Sequence, residues 1–167
     1  MRFGSILITG GAGFVGANLS LYLKERFSGV RVTVLDNLSR RGSELNVPRL
    51  RDGEVDFLHG DVRCPEDLQR CPDFDLLIDC SAEPSVQAGA NSSPRFVLNA
   101  NLLGTINCLE ETRERDAAFL FLSTSRVYPI ARLNELPFAE SESRFEWQIE
   151  DGTRGASASG VSEDFPL

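Results

Sequence analysis

A chain of 167 residues is one domain by length, and 41% hydrophobic residues give it enough apolar side chains to bury a sizeable core. Its net charge of −8 repels phosphodiester backbones, which argues against a nucleic-acid partner. No apolar run is long enough to span a bilayer, and the first strand pattern follows the N-terminus with no basic region or cleavage site, so the expectation is a cytoplasmic protein with no membrane partner.

The elements alternate along the chain. Phe3–Thr9 reads as the first strand and ends in the turn Gly10-Gly11-Ala12-Gly13-Phe14-Val15-Gly16. A helix pattern follows over Ala17–Phe27, with Leu19, Leu23 and the Leu21/Tyr22 pair on its buried side. Strand, glycine turn and helix in this order bring backbone N–H groups to a pyrophosphate at a helix N-terminus, where the dipole favours negative charge. The glycine spacing, Gly-x-x-Gly-x-x-Gly, is one residue longer in its first interval than the commonest dinucleotide pattern. Arg31–Leu35 is the second strand and ends at Asp36, 20 residues after Gly16, about where a carboxylate accepts the ribose hydroxyls of a dinucleotide. The bland alternative is a glycine-rich turn with no ligand, in which Gly13 and Gly16 serve helix packing.

Residues 37–52 are polar and basic, with a short helix near Glu44–Arg51. Val55–Leu58 is the third strand, ending at His59-Gly60-Asp61, and Pro65 opens a helix to Gln69. Leu76–Cys80 is the fourth strand. Pro94 precedes a long helix to about Arg115, with Val97, Leu98, Leu102, Ile106 and Leu109 at helical spacing. Phe119–Leu122 is the fifth strand, followed by Ser123-Thr124-Ser125. Strands alternating with helices predict a doubly wound parallel α/β sheet (a Rossmann arrangement) in the order 3-2-1-4-5, with the ligand crevice between strands one and four. Residues 1–131 form this domain, and residues 132–167 form an irregular acidic tail with a Gly/Ser/Ala stretch at 155–160. Cys64, Cys71, Cys80 and Cys108 show no C-x-x-C pairing and read as reduced thiols; zinc held by His59 with them fits no standard spacing, so no metal is expected.

Each strand ends in polar or small residues facing the predicted crevice. Asp36 and Asn37 close the second, and Asp61 closes the third, its carboxylate suited to an adenine amino group with Val62 against the ring. Cys80, Ser81, Ala82 and Glu83 close the fourth, letting a cofactor lie near the backbone, and Ser123 and Thr124 close the fifth. Any one of these alone is a capping or turn residue.

Five ordered motifs carry a family resemblance: the turn from Thr9 to Gly16, Asp36-Asn37-Leu38-Ser39, His59-Gly60-Asp61-Val62, Asn101-Leu102-Leu103-Gly104-Thr105, and Ser123-Thr124-Ser125-Arg126-Val127-Tyr128. Over residues 3 to 130 the chain resembles the extended short-chain dehydrogenase/reductases, specifically the NAD-dependent nucleotide-sugar epimerases and dehydratases. Ser39-Arg40-Arg41-Gly42-Ser43 and the segment from Pro137 to Trp147 are most like the CDP-paratose (CDP-tyvelose) 2-epimerases. The resemblance implies a bound NAD that takes hydride from a sugar carbon and returns it, a nucleotide-sugar substrate, a CDP-sugar foremost, and a homodimer in the full-length protein. It assigns Gly10, Gly13, Phe14 and Val15 to the pyrophosphate, Asp36 to the ribose, and Asp61 with Val62 to the adenine. Asn101 falls beside the cofactor, and Thr124 is the hydroxyl on the reacting sugar oxygen.

The family's base, a tyrosine in Tyr-x-x-x-Lys, has no match here. Lys24 is the sole lysine, and Tyr22 and Tyr128 do not make the motif. Arginine cannot replace a lysine that works by proton exchange. Pro129 stands where the family usually has glycine. The expectation is the N-terminal cofactor half of such an enzyme, ending before the catalytic helix and the substrate lobe and inactive alone. NAD is expected over NADP because Asp36 repels a 2′-phosphate, although Arg40 and Arg41 could offset that charge. Other readings are a 4,6-dehydratase or 4-epimerase fragment, a non-catalytic NAD-sensing module, and an α/β domain without a ligand.

Overall fold

The computed structural model describes residues 3–85, 87–90, 93–124, 127–149 and 153–166. Ser125 and Arg126 of the strand-five motif, Glu150 and Asp151 of the acidic stretch, and Leu167 lie outside these described residues. The chain divides into two units, Met1–Leu122 and Ser123–Leu167. This division falls earlier than the expected boundary after residue 131, directly behind the last strand of the sheet.

In the first unit, β1 (Ser5–Thr9), β2 (Arg31–Asp36), β3 (Asp56–His59), β4 (Leu76–Asp79) and β5 (Ala118–Phe121) form a parallel sheet in the order β3-β2-β1-β4-β5. The expected order is therefore the one observed. The helices are α1 (Phe14–Arg26), α2 (Asn46–Asp52), α3 (Pro65–Gln69), α4 (Arg95–Val97) and α5 (Gly104–Glu114). A π-helical segment, Leu98–Leu103, joins α4 to α5.

Strand side chains alternate between faces, so each apolar run serves two cores. Ile6, Ile8, Val32, Val34, Leu76 and Ile78 pack with Ala17, Leu23 and Leu50. Leu7, Leu35 and Leu77 turn the other way and pack with Leu68, Phe74 and Cys108. Register then levels the carboxyl ends. Thr9 pairs with both Leu35 and Asp79, so the residues one step on, Gly10, Asp36 and Cys80, meet at one edge of the sheet.

Two helices set small residues against the sheet. In α1 the buried residues are Gly16, Ala17, Ser20 and Leu23, and Leu19 and Leu21 pack against the same core as expected, whereas Tyr22 is exposed. Small residues let the helix axis approach the sheet, and the Ser20 hydroxyl is satisfied by donating to the Gly16 carbonyl at 2.7 Å. In α5 the buried face is Gly104, Cys108, Glu111 and Thr112. The apolar stripe Leu98, Leu102, Ile106 and Leu109 faces solvent instead.

The second unit holds α6 (Ile130–Asn134) and two short antiparallel hairpins, β6 (Phe138–Glu140) with β7 (Phe145–Trp147) and β8 (Ala156–Ser157) with β9 (Gly160–Val161). Phe138 and Phe145 meet edge to face at 5.4 Å. Phe165 is buried and meets Tyr128 at 6.2 Å. The tail is thus more regular than its sequence indicates, because strands of two or three residues are too short to carry a readable alternation.

Candidate functional site

A cleft opens at the carboxyl ends of the strands where their order reverses. Its floor is the first turn. Gly10 has φ 64, and a Cβ there would lie 2.7 Å from the Cys80 carbonyl oxygen. A Cβ on Gly16 would run into the Gly10 carbonyl. These two glycines therefore serve the tight turn and its packing against the next loop, and Gly10 and Gly13 face the cleft with no side chain.

Three amides of the turn are already engaged by the protein. Gly11 N–H donates to the Leu35 carbonyl at 3.2 Å, and Gly13 N–H donates to Gly10 at 3.0 Å. Ala12 N–H donates to Asp36 Oδ2 at 3.0 Å. Phe14 and Val15, the first residues of α1, have no intrahelical carbonyl to donate to. Gly13 gives the helix no side-chain cap, and its first turn holds no acidic residue to offset the dipole. Phe14 is 83% exposed, so its ring does not plug the cleft. An uncapped thirteen-residue helix, a bare glycine floor and an adjacent carboxylate fit a dinucleotide's diphosphate and ribose.

The wall after β2 is built around Asp36. Its Oδ1 accepts the Leu38 N–H at 2.8 Å, which Leu38 delivers from a left-handed conformation with φ 54. Asp36 thus ties the glycine turn to its own loop, and each oxygen keeps a lone pair for a ribose hydroxyl. Asn37 bridges outward, accepting from Ser39 N–H at 2.9 Å and donating to Asp61 Oδ2 at 2.8 Å. Ser39 and the exposed Arg40 complete this wall.

After β3 the cleft is lined by Asp61, Val62 and Arg63. Asp61 Oδ1 accepts the Arg63 backbone N–H at 2.9 Å and Arg63 Nε at 2.9 Å, while Oδ2 accepts Arg63 Nη2 at 2.6 Å. The bidentate guanidinium, helped by Asn37, holds the Asp61 carboxyl far below the usual carboxylate range, and Asp61 in turn raises Arg63. His59 is exposed, with Nε2 3.2 Å from the Asn37 carbonyl, and among the described residues no cluster of three metal-binding side chains forms around it.

After β4 come Cys80, Ser81, Ala82 and Glu83. Burial pushes the Cys80 thiol up to about 12, so it lines the cleft as a neutral group. Asn101 clamps the loop from behind: its Oδ1 accepts the Glu83 N–H at 2.7 Å and its Nδ2 donates to the Glu83 carbonyl at 3.2 Å. Ser123 and Thr124 fall in the second unit.

Four contributors are absent from the sequence reading: Arg63, which grips Asp61, and Asp79, Phe96 and Ala100. Asp79 is buried at the end of β4, where Oδ1 accepts Thr9 Oγ1 at 2.7 Å, Ser81 N–H at 3.0 Å and Ser81 Oγ at 2.5 Å. Its Oδ2 accepts Thr105 Oγ1 at 3.1 Å, so one carboxylate joins β1, β4 and α5 beneath the glycine turn. Phe96 and Ala100 line the cleft from the helix that the sequence does predict, at the i, i+4 spacing that could have identified them.

The model of the NAD dependent epimerase/dehydratase family matches residues 6–146. CDP-paratose 2-epimerase of Salmonella typhi is 33% identical over 150 residues, covering 84% of this chain and 42% of that protein. dTDP-glucose 4,6-dehydratase of Streptomyces niveus is 36% identical over 131 residues, covering 74% and 38%. Among solved structures, UDP-glucose 4-epimerase from Bifidobacterium longum in complex with NAD+ and UDP superposes with a TM-score of 0.63 at 25% identity, covering 74% of this chain and 38% of that one. The chain spans less than half the length of each of these relatives.

Proposed function

Because the chain belongs to the NAD-dependent epimerase/dehydratase family, we propose that its cleft is the NAD site of a nucleotide-sugar epimerase, a 2-epimerase of CDP-sugars. The observation that carries this is the uncapped start of α1 beside Asp36, whose carboxylate is already fastened to the glycine turn. The amides of Phe14 and Val15 take the diphosphate, and Asp36 takes the ribose hydroxyls and repels a 2′-phosphate. Bound NAD supplies a hydride acceptor and donor for a sugar carbon. Thr124 bonds the reacting sugar oxygen. The proton step needs a tyrosine–lysine pair that this sequence does not contain, so these residues alone bind without turnover.

The identity to CDP-paratose 2-epimerase supports the CDP-sugar, and the solvent-facing stripe from Leu98 to Leu109 supports a homodimer. Four free thiols support a cytoplasmic setting. The identity to dTDP-glucose 4,6-dehydratase favours a second reading, a dehydratase or 4-epimerase portion. Mass spectrometry of the purified protein under native conditions should find one NAD per chain. The full-length protein, incubated with CDP-paratose, should then yield the C2 epimer. Turnover of a dTDP-hexose with loss of water would support the second reading instead.

A further inference from the structure

Neutral groups surround the Asp79 carboxylate, and none of them cancels its charge. Asp79 is 1% exposed at the carboxyl end of β4. Its partners are the Thr9, Ser81 and Thr105 hydroxyls and the Ser81 N–H, and it makes no ion pair among the described residues. Asp61 differs, since the Arg63 guanidinium neutralises it at 2.6 Å. Hydroxyl and amide donors fix a carboxylate in place but leave its charge, and a buried charge is screened far less by salt than an exposed one. Burial first, and then the Asp79 charge, raise the Cys80 thiol, and both also raise Cys108 on α5. Cys80 and Ser81, the two residues after Asp79, line the cleft.

We propose that Asp79 sets the balance between the two redox forms of the bound dinucleotide, favouring NAD+ over NADH through its buried, uncancelled charge. This rests on the reading of the cleft as an NAD site. The α1 N-terminus behind β1 takes the diphosphate and Asp36 on β2 takes the adenosine ribose. The other half of the dinucleotide then falls on the β4 side, where Cys80, Ser81 and Ala82 leave room for it. That half carries the nicotinamide, whose ring is positive when oxidised and neutral when reduced. The two forms have all their other charges in common, so a negative charge behind Cys80 stabilises the oxidised form alone. A tighter hold on the oxidised ring disfavours hydride uptake and favours hydride return, which suits a cofactor reduced only in passing. Asp79 itself touches no ligand, and its effect crosses a layer of neutral groups.

The test compares NAD+ with NADH by isothermal titration calorimetry. The wild-type chain should bind NAD+ more tightly than NADH by about tenfold or more. Asp79→Asn keeps the side chain's shape: Oδ1 still accepts from Thr9 and Ser81, and the new amide nitrogen donates to the Thr105 hydroxyl. In this variant NAD+ should weaken by about tenfold, while NADH should change by less than about twofold. Thr105→Val removes one partner and leaves the charge, so it should keep the wild-type ratio even where stability falls. Circular dichroism melts show whether each variant folds. If Asp79→Asn does not, the wild-type and Thr105→Val ratios decide, and a preference for NAD+ below about threefold overturns the proposal. If Asp79→Asn folds and both forms weaken equally, Asp79 is a structural residue only. The surviving preference would then pass to Glu83, whose half-buried carboxylate also lines this side, and the NAD site would stand without the proposal. Binding of neither form by the wild type would overturn the NAD reading of the cleft, and this proposal with it.

Discussion

Asp36 and Asp79 end the two strands that flank β1, and their surroundings give them opposite roles. Asp79 is closed in by four donors from Thr9, Ser81 and Thr105, with no water contact to lose and nothing left to offer a ligand. Asp79→Ala strands those donors in the interior and should lower unfolding stability by about 3 kcal/mol or more, measured by urea titration. Asp36 holds two backbone N–H groups and faces the cleft. Asp36→Ala should cost a smaller ~1–2 kcal/mol but weaken NAD binding by at least tenfold. Asp36 was legible because its distance from the glycines fits a ribose contact. Asp79 was not, because a carboxylate closing an apolar run reads as the strand's solvent end. The left-handed Leu38 was also illegible, since nothing in a leucine announces positive φ.

The β1–turn–α1 element depends on close backbone approach, and the sequence shows that directly. Gly16→Ala places a methyl on the Gly10 carbonyl, so the turn must open. The expected cost is ~1–3 kcal/mol in thermal or urea unfolding, together with loss of NAD binding. The long helical segment behaves differently. Its period-four apolar stripe was read correctly as helix, yet periodicity does not say what covers a stripe. The sheet takes the smaller Gly104, Cys108 and Thr112 side, leaving Leu102 and Ile106 exposed. Ile106→Glu should therefore leave stability within ~0.5 kcal/mol, while sedimentation velocity should show reduced self-association. The π turn at Leu98–Leu103 carries Asn101 against the Glu83 loop, and no proline or glycine within it marks the irregularity.

Across the molecule the sheet order followed from strands alternating with helices, because right-handed crossovers leave few ways to wind a parallel sheet. The buried thiols give the fold a pH signature. Burial raises Cys71 to about 11 and Cys80 to about 12, against an ordinary value of 9.0. Above pH 9 the unfolded chain releases these protons while the folded chain keeps them, so stability should fall as pH rises from about 9 toward 11. Urea midpoints at pH 8 and pH 10.5 should diverge in the wild type and lie closer together in a Cys71→Ala/Cys80→Ala variant, in which Cys108, also raised by burial, keeps the remaining difference. Binding at this cleft requires the glycine turn and Asp36 to act together on one ligand. Calorimetric titration with NAD tests that most directly. It predicts one site per chain, a binding constant at least tenfold weaker in Asp36→Ala, and a still weaker response to NADP. Equal affinity in wild type and Asp36→Ala, with both folded, would contradict it.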